Sequence, residues 1–359
     1  MDNPRVIAIG TAMPTTSYTQ AQLAQYFGVG NRKIQALFAN SHIKKRCLNL
    51  PRLQEALQNG GAEGPMLSED PDILASRHRQ GVISLGSCAL REALQKAGLA
   101  AQALDYIVCV TSTGFLCPGA SALLAKELGL AETIYRLDVV GMGCNAAMNG
   151  LQPLVNFLRL NPQKVGALVC IENCSSAYVV DEKMVTAVVN SLFGDACAAL
   201  IVAGSQYSEA EFDPYLPQIV DFESQIVTQA QETMRFEHQQ GRLAFFLDKD
   251  IPYFLGQNAH KPVRRLWERH HLKKRDIAWW LVHSGGKKVI DSLKMNLGLS
   301  DYDLRHTIDI LAEYGNISSC SVLYALYRLS IEKVATPGDY ATLITMGPGA
   351  SIETALLHW

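Results

Sequence analysis

Residues 141–151 read GMGCNAAMNGL, and residues 313–323 read EYGNISSCSVL. Each stretch places a polar side chain, Cys144 or Asn316, directly after a glycine and ahead of a helical run, at an offset of 172. Two more pairs follow the same order. DYIVCVTSTG (105–114) shares its outline with DIAWWLVHSG (276–285): an acid, an apolar run, a small polar residue, then glycine. GDACAALIVAG (194–204) likewise resembles GDYATLITMGPG (338–349). One such match arises easily by chance, but three in common order imply a chain built of two related halves. Around them, β-rich runs at 5–10, 105–110, 133–140, 164–171, 197–203, 277–283, 340–346 and 351–358 alternate with amphipathic stretches such as 83–98 and 144–160. Strands alternating with helices predict an α/β architecture with buried sheets. The polar segment 205–217 is the expected boundary, giving an N-terminal half over 1–210 and a C-terminal half over 211–359, and 58–80 reads as a surface excursion.

The composition narrows the function. The chain has 359 residues, 48% hydrophobic, and its formal net charge of −2 provides no basic field to recruit nucleic acid or an anionic membrane. Nine cysteines stand mostly in apolar runs, where a thiol packs as a small hydrophobe. Only Cys170 and Cys174 are close, and with no second pair nearby they predict neither a zinc site nor a disulfide framework. The opening residues hold a five-residue apolar run, too short for a secretory core, and no run is long enough to span a bilayer. The expected location is the cytoplasm.

If the halves are related by pseudo-symmetry, Cys144, His283 and Asn316 fall at corresponding strand ends and helix starts. Most cysteines of such a chain are inert, but Cys144 lies between GMG and a helix, where N-terminal amides favour thiolate over thiol. His283 ends an apolar strand before Ser-Gly-Gly, and as an imidazolium it would pair with that thiolate. Asn316 also suits a helix N-cap, a role compatible with catalysis. Phe193 and Phe245 read by default as core aromatics, and Gly347-Pro348-Gly349 as a connecting turn.

These residues carry a resemblance over nearly the whole chain. IKKR (43–46), TSTGFLCPGAS (111–121), GMGCNAAMNGL, SLFGDACAALIV, FFLDKDIP, WLVHSGGKKVID, EYGNISS and MGPGASIETAL resemble the type III polyketide synthases, the chalcone-synthase-like branch of the thiolase-fold condensing enzymes. Within that family VVGMGCNA, TAVVNSLFGD and LVHSGGKKVIDS are most similar to the bacterial branch that forms 3,5-dihydroxyphenylacetyl-CoA. The resemblance implies a thiolase-like fold, two pseudo-symmetric αβαβα halves forming a five-layered core. It implies Cys144 as the acyl-accepting nucleophile, with His283 and Asn316 as donors to the malonyl thioester carbonyl. It implies Phe193 and Phe245 as gatekeepers of the passage from coenzyme A tunnel to growing chain. Gly347-Pro348-Gly349 would then line the cyclisation cavity with Ser318 at a nearby pocket position, and Cys117 would reach across a homodimer interface into the partner's cavity. Two basic residues of plant members stand here as Leu37 and Asn40, which leaves Lys44 to hold the coenzyme A phosphates. Plant members carry threonine where this chain has Cys174 and Ala177, so their aromatic starter pocket is not reproduced.

The implied partners are malonyl-CoA and coenzyme A, with no cofactor beyond these thioesters, no metal, no nucleic acid and no membrane. The implied reaction loads malonyl-CoA, decarboxylates it to an acetyl starter, adds three more units and closes the eight-carbon chain between C8 and C3. One alternative keeps the chemistry with another starter and ring, as in alkylresorcinol, pyrone or phloroglucinol synthases. A cysteine thioester hydrolase using Cys144 and His283 is the alternative of another class, and it leaves the paired halves unexplained. A ketosynthase that depends on a carrier protein shares the expected fold and differs in refusing free malonyl-CoA.

Overall fold

The apolar runs fold into a nine-stranded sheet whose order repeats itself on either side of a seam. The computed structural model describes residues 3–28, 31–58, 69–179, 183–208, 212–239 and 241–359. Its main strands are β1 (Arg5–Ala12), β2 (Tyr106–Thr111), β3 (Tyr135–Val140), β4 (Val165–Glu172), β5 (Ala196–Ala203), β6 (Gln218–Ile226), β7 (Ile277–Val282), β8 (Tyr340–Gly347) and β9 (Ser351–His358). They lie in the order β7-β8-β9-β6-β1-β5-β4-β2-β3. The seam is a single antiparallel pair, Arg5 with Gln218, between β1 and β6. Outward from it, β1-β5-β4-β2 on one side is matched by β6-β9-β8-β7 on the other. The senses match too, antiparallel at the first two steps and parallel at the third. The boundary expected between 210 and 211 lies outside the described residues.

Four helices show how the layers stack: α1 (Pro71–Ala97), α2 (Ala146–Leu160), α3 (Ile251–Arg269) and α4 (Ser321–Glu332). Along β5, Ala196, Ala198, Leu200 and Val202 join a central cluster with α2 and α4, while Cys197, Ala199, Ile201 and Ala203 pack against α1. On the other side of the seam Ala355 and Leu357 of β9 face the central cluster, and Ile352 and Leu356 face α3. The layers therefore run helix, sheet, helix, sheet, helix. A strand covered on both faces is apolar throughout, which is why all eight residues of β4 and of β5 are buried.

Two features escaped the hydrophobic pattern. β6, QIVDFESQI, is interrupted by two acids, Asp221 and Glu223, which pair with Arg269 and Arg265 of α3. Residues 71–80 are no surface excursion but the first turns of α1, capped by the Asp70 side chain on the Asp72 amide and closed by Gly98 at φ 68°. Their polarity hides burial, because Arg77 and Glu69 form a two-pronged ion pair inside the protein. The remainder of that stretch, 59–68, lies outside the described residues. Among the described residues no helix is long and apolar enough to cross a membrane.

Candidate active site

Cys144 sits in the 3-10 turn Gly143–Asn145 that carries the chain from β3 into α2. Gly143 holds φ 69°, a conformation that disfavours any side chain, and a Cβ there would collide with the ring of Pro348. A Cβ on Gly347 would collide with Asn145, whose amide donates to Ser351 Oγ at 2.7 Å. The turn of one half is thus keyed into the Gly347-Pro348-Gly349 turn of the other, and this contact fixes the height of the thiol.

Asn316 follows Gly315, itself at φ 73°. Its main chain is stitched to the segment before β5, donating to Leu192 O at 2.8 Å and accepting from the Gly194 amide at 2.9 Å, which ties Phe193 to it. Its side-chain oxygen accepts from the Ser318 amide at 2.9 Å, so its NH2 group is turned outward, donating to Gly285 O at 3.4 Å and toward the Cys144 sulfur. Ser318 is a non-glycine residue at φ 50°. From there its hydroxyl lies 3.6 Å from Cys144 Sγ and 3.2 Å from Glu172 Oε1.

His283 directly follows β7, its amide donating to Ile344 O at 2.9 Å, and its ring stands against Gly285. It is 3% exposed, and Nδ1 has no hydrogen-bond partner. Burial pushes this imidazole down to about 4. The Cys144 thiol is pushed up to about 12, by burial first and by the nearby Glu172 carboxylate, against hydrogen bonds from Ser318 and Asn316 that pull it down. These directions reverse the thiolate and imidazolium expected from the helix start. The amides are present, but desolvation in a closed pocket outweighs them, and burial favours the neutral form of each group.

Glu172 is the ionisable group that the sequence reading missed. It ends β4, is fully buried, and accepts from the Ser112 amide at 3.1 Å and from the hydroxyls of Ser318 and Ser319. Burial raises it to about 7 despite those bonds. Its signal was a single carboxylate closing the otherwise apolar run VGALVCI.

Cys144, Cys174, Phe193, Phe245, Ser318 and Pro348 line one small pocket of about 30 Å³. Phe193 and Phe245 meet edge to face, centroids 5.5 Å apart, and Phe245 is carried on the hairpin Met234–Gln239/Arg242–Leu247. Through Ser112, Thr113, Ala177 and Pro348 the pocket adjoins a cavity of about 600 Å³ that Gly349 also lines. Lys44 and Cys117 are exposed and border neither space, and Gly347 serves packing beneath the site. Arg46, two residues after Lys44, is wholly buried and donates to Phe193 O at 2.6 Å and to Tyr178 OH at 3.0 Å, so the basic motif supplies a brace for the pocket wall.

Comparison with known proteins places this geometry. Residues 2–206 match the description "Chalcone and stilbene synthases, N-terminal domain" and residues 218–359 match "Chalcone and stilbene synthases, C-terminal domain". The chain belongs to the chalcone and stilbene synthase family. This type III polyketide synthase, an acyltransferase, is 42% identical over 99% of its length to a 3,5-dihydroxyphenylacetyl-CoA synthase of Streptomyces toyocaensis, covering 90% of that protein. It is 44% identical, again over 99% of its length, to a 3,5-dihydroxyphenylacetyl-CoA synthase of Amycolatopsis orientalis, of which it covers 93%. Among solved structures it is similar to the synthase PKS-I of the brown alga Ectocarpus siliculosus, with TM-score 0.89, 26% identity and coverage of 99% of this chain and 98% of that one. The 1,3,6,8-tetrahydroxynaphthalene synthase of Streptomyces coelicolor A3(2) shares the fold, with TM-score 0.88 at 24% identity and coverage of 99% of each chain. The five layers are therefore those of the thiolase-like fold.

Proposed function

We propose that this synthase builds 3,5-dihydroxyphenylacetyl-CoA from malonyl-CoA alone, with Cys144 as nucleophile and His283 and Asn316 as its partners. The observation that carries the chemistry is Cys144, 6% exposed, its thiol within reach of the Ser318 and Asn316 side chains in a narrow apolar pocket beside a far larger cavity. A hydrolase needs only a place for water at the thioester, whereas the adjoining cavity of about 600 Å³ leaves room for a growing chain. The product is supported by the name borne by relatives that match almost the whole chain.

The neutral His283 accepts the thiol proton as Cys144 attacks the acyl carbon, and the coenzyme A thiolate leaves. One thioester replaces another, so the exchange is nearly isoenergetic. The next malonyl thioester loses CO2, and the electron pair left on its α-carbon delocalises onto the carbonyl oxygen. Asn316 Nδ2 and the His283 ring donate to that oxygen, and fixed donors in a dry site stabilise the enolate better than water would. The carbanion attacks the acyl carbon on Cys144, the cysteine thiolate leaves, and the lengthened chain returns to it. After four malonyl units, C8 attacks the C3 carbonyl and water is lost. Four malonyl-CoA thus give one aromatic CoA thioester, three free coenzyme A, four CO2 and one water. The departing carboxylate leaves the electron pair and the thioester carbonyl receives it, so the reading requires no metal or organic cofactor. Lys44 is assigned to the coenzyme A phosphates, Cys117 to the partner's cavity in a homodimer, and the enzyme to the cytoplasm.

Purified enzyme given only malonyl-CoA is expected to yield 3,5-dihydroxyphenylacetyl-CoA by mass spectrometry, and folded Cys144→Ala to yield none. A strict need for another acyl-CoA starter would remove the product assignment. Free acid without a new carbon–carbon bond would replace the synthase by a hydrolase.

A further inference from the structure

Arg46 is wholly buried, and every hydrogen-bond partner of its guanidinium is neutral. Nε donates to Gln20 Oε1 at 3.1 Å. Nη1 donates to Tyr178 OH at 3.0 Å and to Phe193 O at 2.6 Å, and Nη2 has no partner. Asp195, the buried carboxylate whose charge it senses, is not bonded to it, because its oxygens accept from Ser175 and from the Asn49 amide. Burying a cation without a bonded anion is costly, and closing a pocket wall would not require it. What a guanidinium adds is a set of donors fixed in one plane, able to hold acceptors from three separate segments at once. Arg46 borders neither the thiol pocket nor the cavity of about 600 Å³, so it acts through the residues it holds.

The Phe193 carbonyl leads directly to Asn316. The main chain on either side of Phe193 is bonded to that residue: Leu192 O accepts from the Asn316 amide at 2.8 Å, and the Gly194 amide donates to Asn316 O at 2.9 Å. The Arg46 fork grips the Phe193 carbonyl between these two bonds, and the Tyr178 hydroxyl donates to the same oxygen. The arginine stem lies against the residue before Asn316, since a Cβ on Gly315 would come within 2.7 Å of Arg46 Cδ. Cys144 is held separately, by the contact of its own turn with Pro348. We propose that Arg46 is a positioning residue that sets the Phe193 ring and the Asn316 amide relative to the thiol, and so governs the rate of decarboxylation and condensation. This rests on the synthase reading above. The geometry of the guanidinium carries the role, and its charge alone does not.

The test compares Arg46→Lys, Arg46→Met and Tyr178→Phe with the parent enzyme on malonyl-CoA. Lys keeps the charge and the stem, Met keeps the stem alone, and Phe removes the hydroxyl through which Tyr178 joins Arg46 and Phe193. Iodoacetamide labelling of Cys144 to saturation, read by peptide mass spectrometry, counts intact sites, and kcat is expressed per labelled site. In both Arg46 variants kcat per site is expected to fall by about tenfold to a hundredfold, the cost of a misplaced reacting group, with KM within about threefold of the parent's. A merely structural role would lower the site count and leave kcat per site unchanged, and that result overturns the proposal. So does an Arg46→Lys variant with the parent's kcat. If neither Arg46 variant folds, Tyr178→Phe decides: a fall in kcat per site at unchanged KM supports the role, and the parent's kcat overturns it. A parent enzyme that neither decarboxylates malonyl-CoA nor forms a carbon–carbon bond defeats the synthase reading itself, an outcome distinct from any variant result.

Discussion

Glu172 and Ser318 act on the Cys144 thiol beneath the larger effect of burial. The Ser318 hydroxyl is shared between Cys144 Sγ at 3.6 Å and Glu172 Oε1 at 3.2 Å, so the thiol and the carboxyl sense one another through it. Glu172 is raised to about 7, and its carboxylate pushes the thiol higher once it ionises. Glu172→Gln removes that charge, so the thiol should ionise more readily above pH 7. Iodoacetamide inactivation at pH 8.5 is expected to accelerate by about threefold to tenfold, with little change at pH 6, where the parent carboxyl is mostly protonated. Identical pH profiles for the two proteins would dissociate Glu172 from the thiol.

At the scale of elements, the site depends on two turns that interlock. Gly143 combines φ 69° with the closest approach of Pro348, so Gly143→Ala must twist the turn and lift it from its neighbour. A stability loss of about 2 kcal/mol or more is expected from urea denaturation, with condensation falling further than stability because the thiol moves. An Ala variant with the parent's midpoint and activity would show that the contact is loose. The same level explains what the sequence patterns caught. Strands buried on both faces are continuous apolar runs and were legible as such. β6 was not, because its acids serve arginines on α3, and the early turns of α1 were not, because Arg77 and Glu69 satisfy one another in the interior.

Across the whole molecule, buried histidines couple stability to acid. His78 and His283 both titrate near 4 in the folded protein against about 6.5 when unfolded. The unfolded chain takes up protons first, so the stability these groups hold above about pH 6.5 is lost as pH falls toward 4. By pH 5 each loses about 2 kcal/mol. Glu172 works in the opposite sense between about 4.5 and 7, because its raised folded value favours the folded state as acid is added. Comparing the parent with His78→Phe isolates one imidazole: the difference between their urea stabilities should shift by about 2 kcal/mol in the variant's favour from pH 7.5 to pH 5. A constant difference would mean that His78 protonates without unfolding.

The sequence alone determined the alternation of strands and helices, the repeat of Gly-Cys144 in Gly-Asn316, and the apolar runs that must lie between helix layers. These follow from local rules, since strand and helix periodicity and the turn role of glycine are properties of short segments. Only the tertiary structure decided that the two turns lock through Gly143 and Pro348, that Glu172 stands beside the thiol, and that Arg46 braces the wall while Lys44 stays at the surface. It also decided the direction in which the Cys144 thiol is shifted. Desolvation is set by everything that surrounds a group, and no stretch around Cys144 or His283 encodes how completely the other half will close over it.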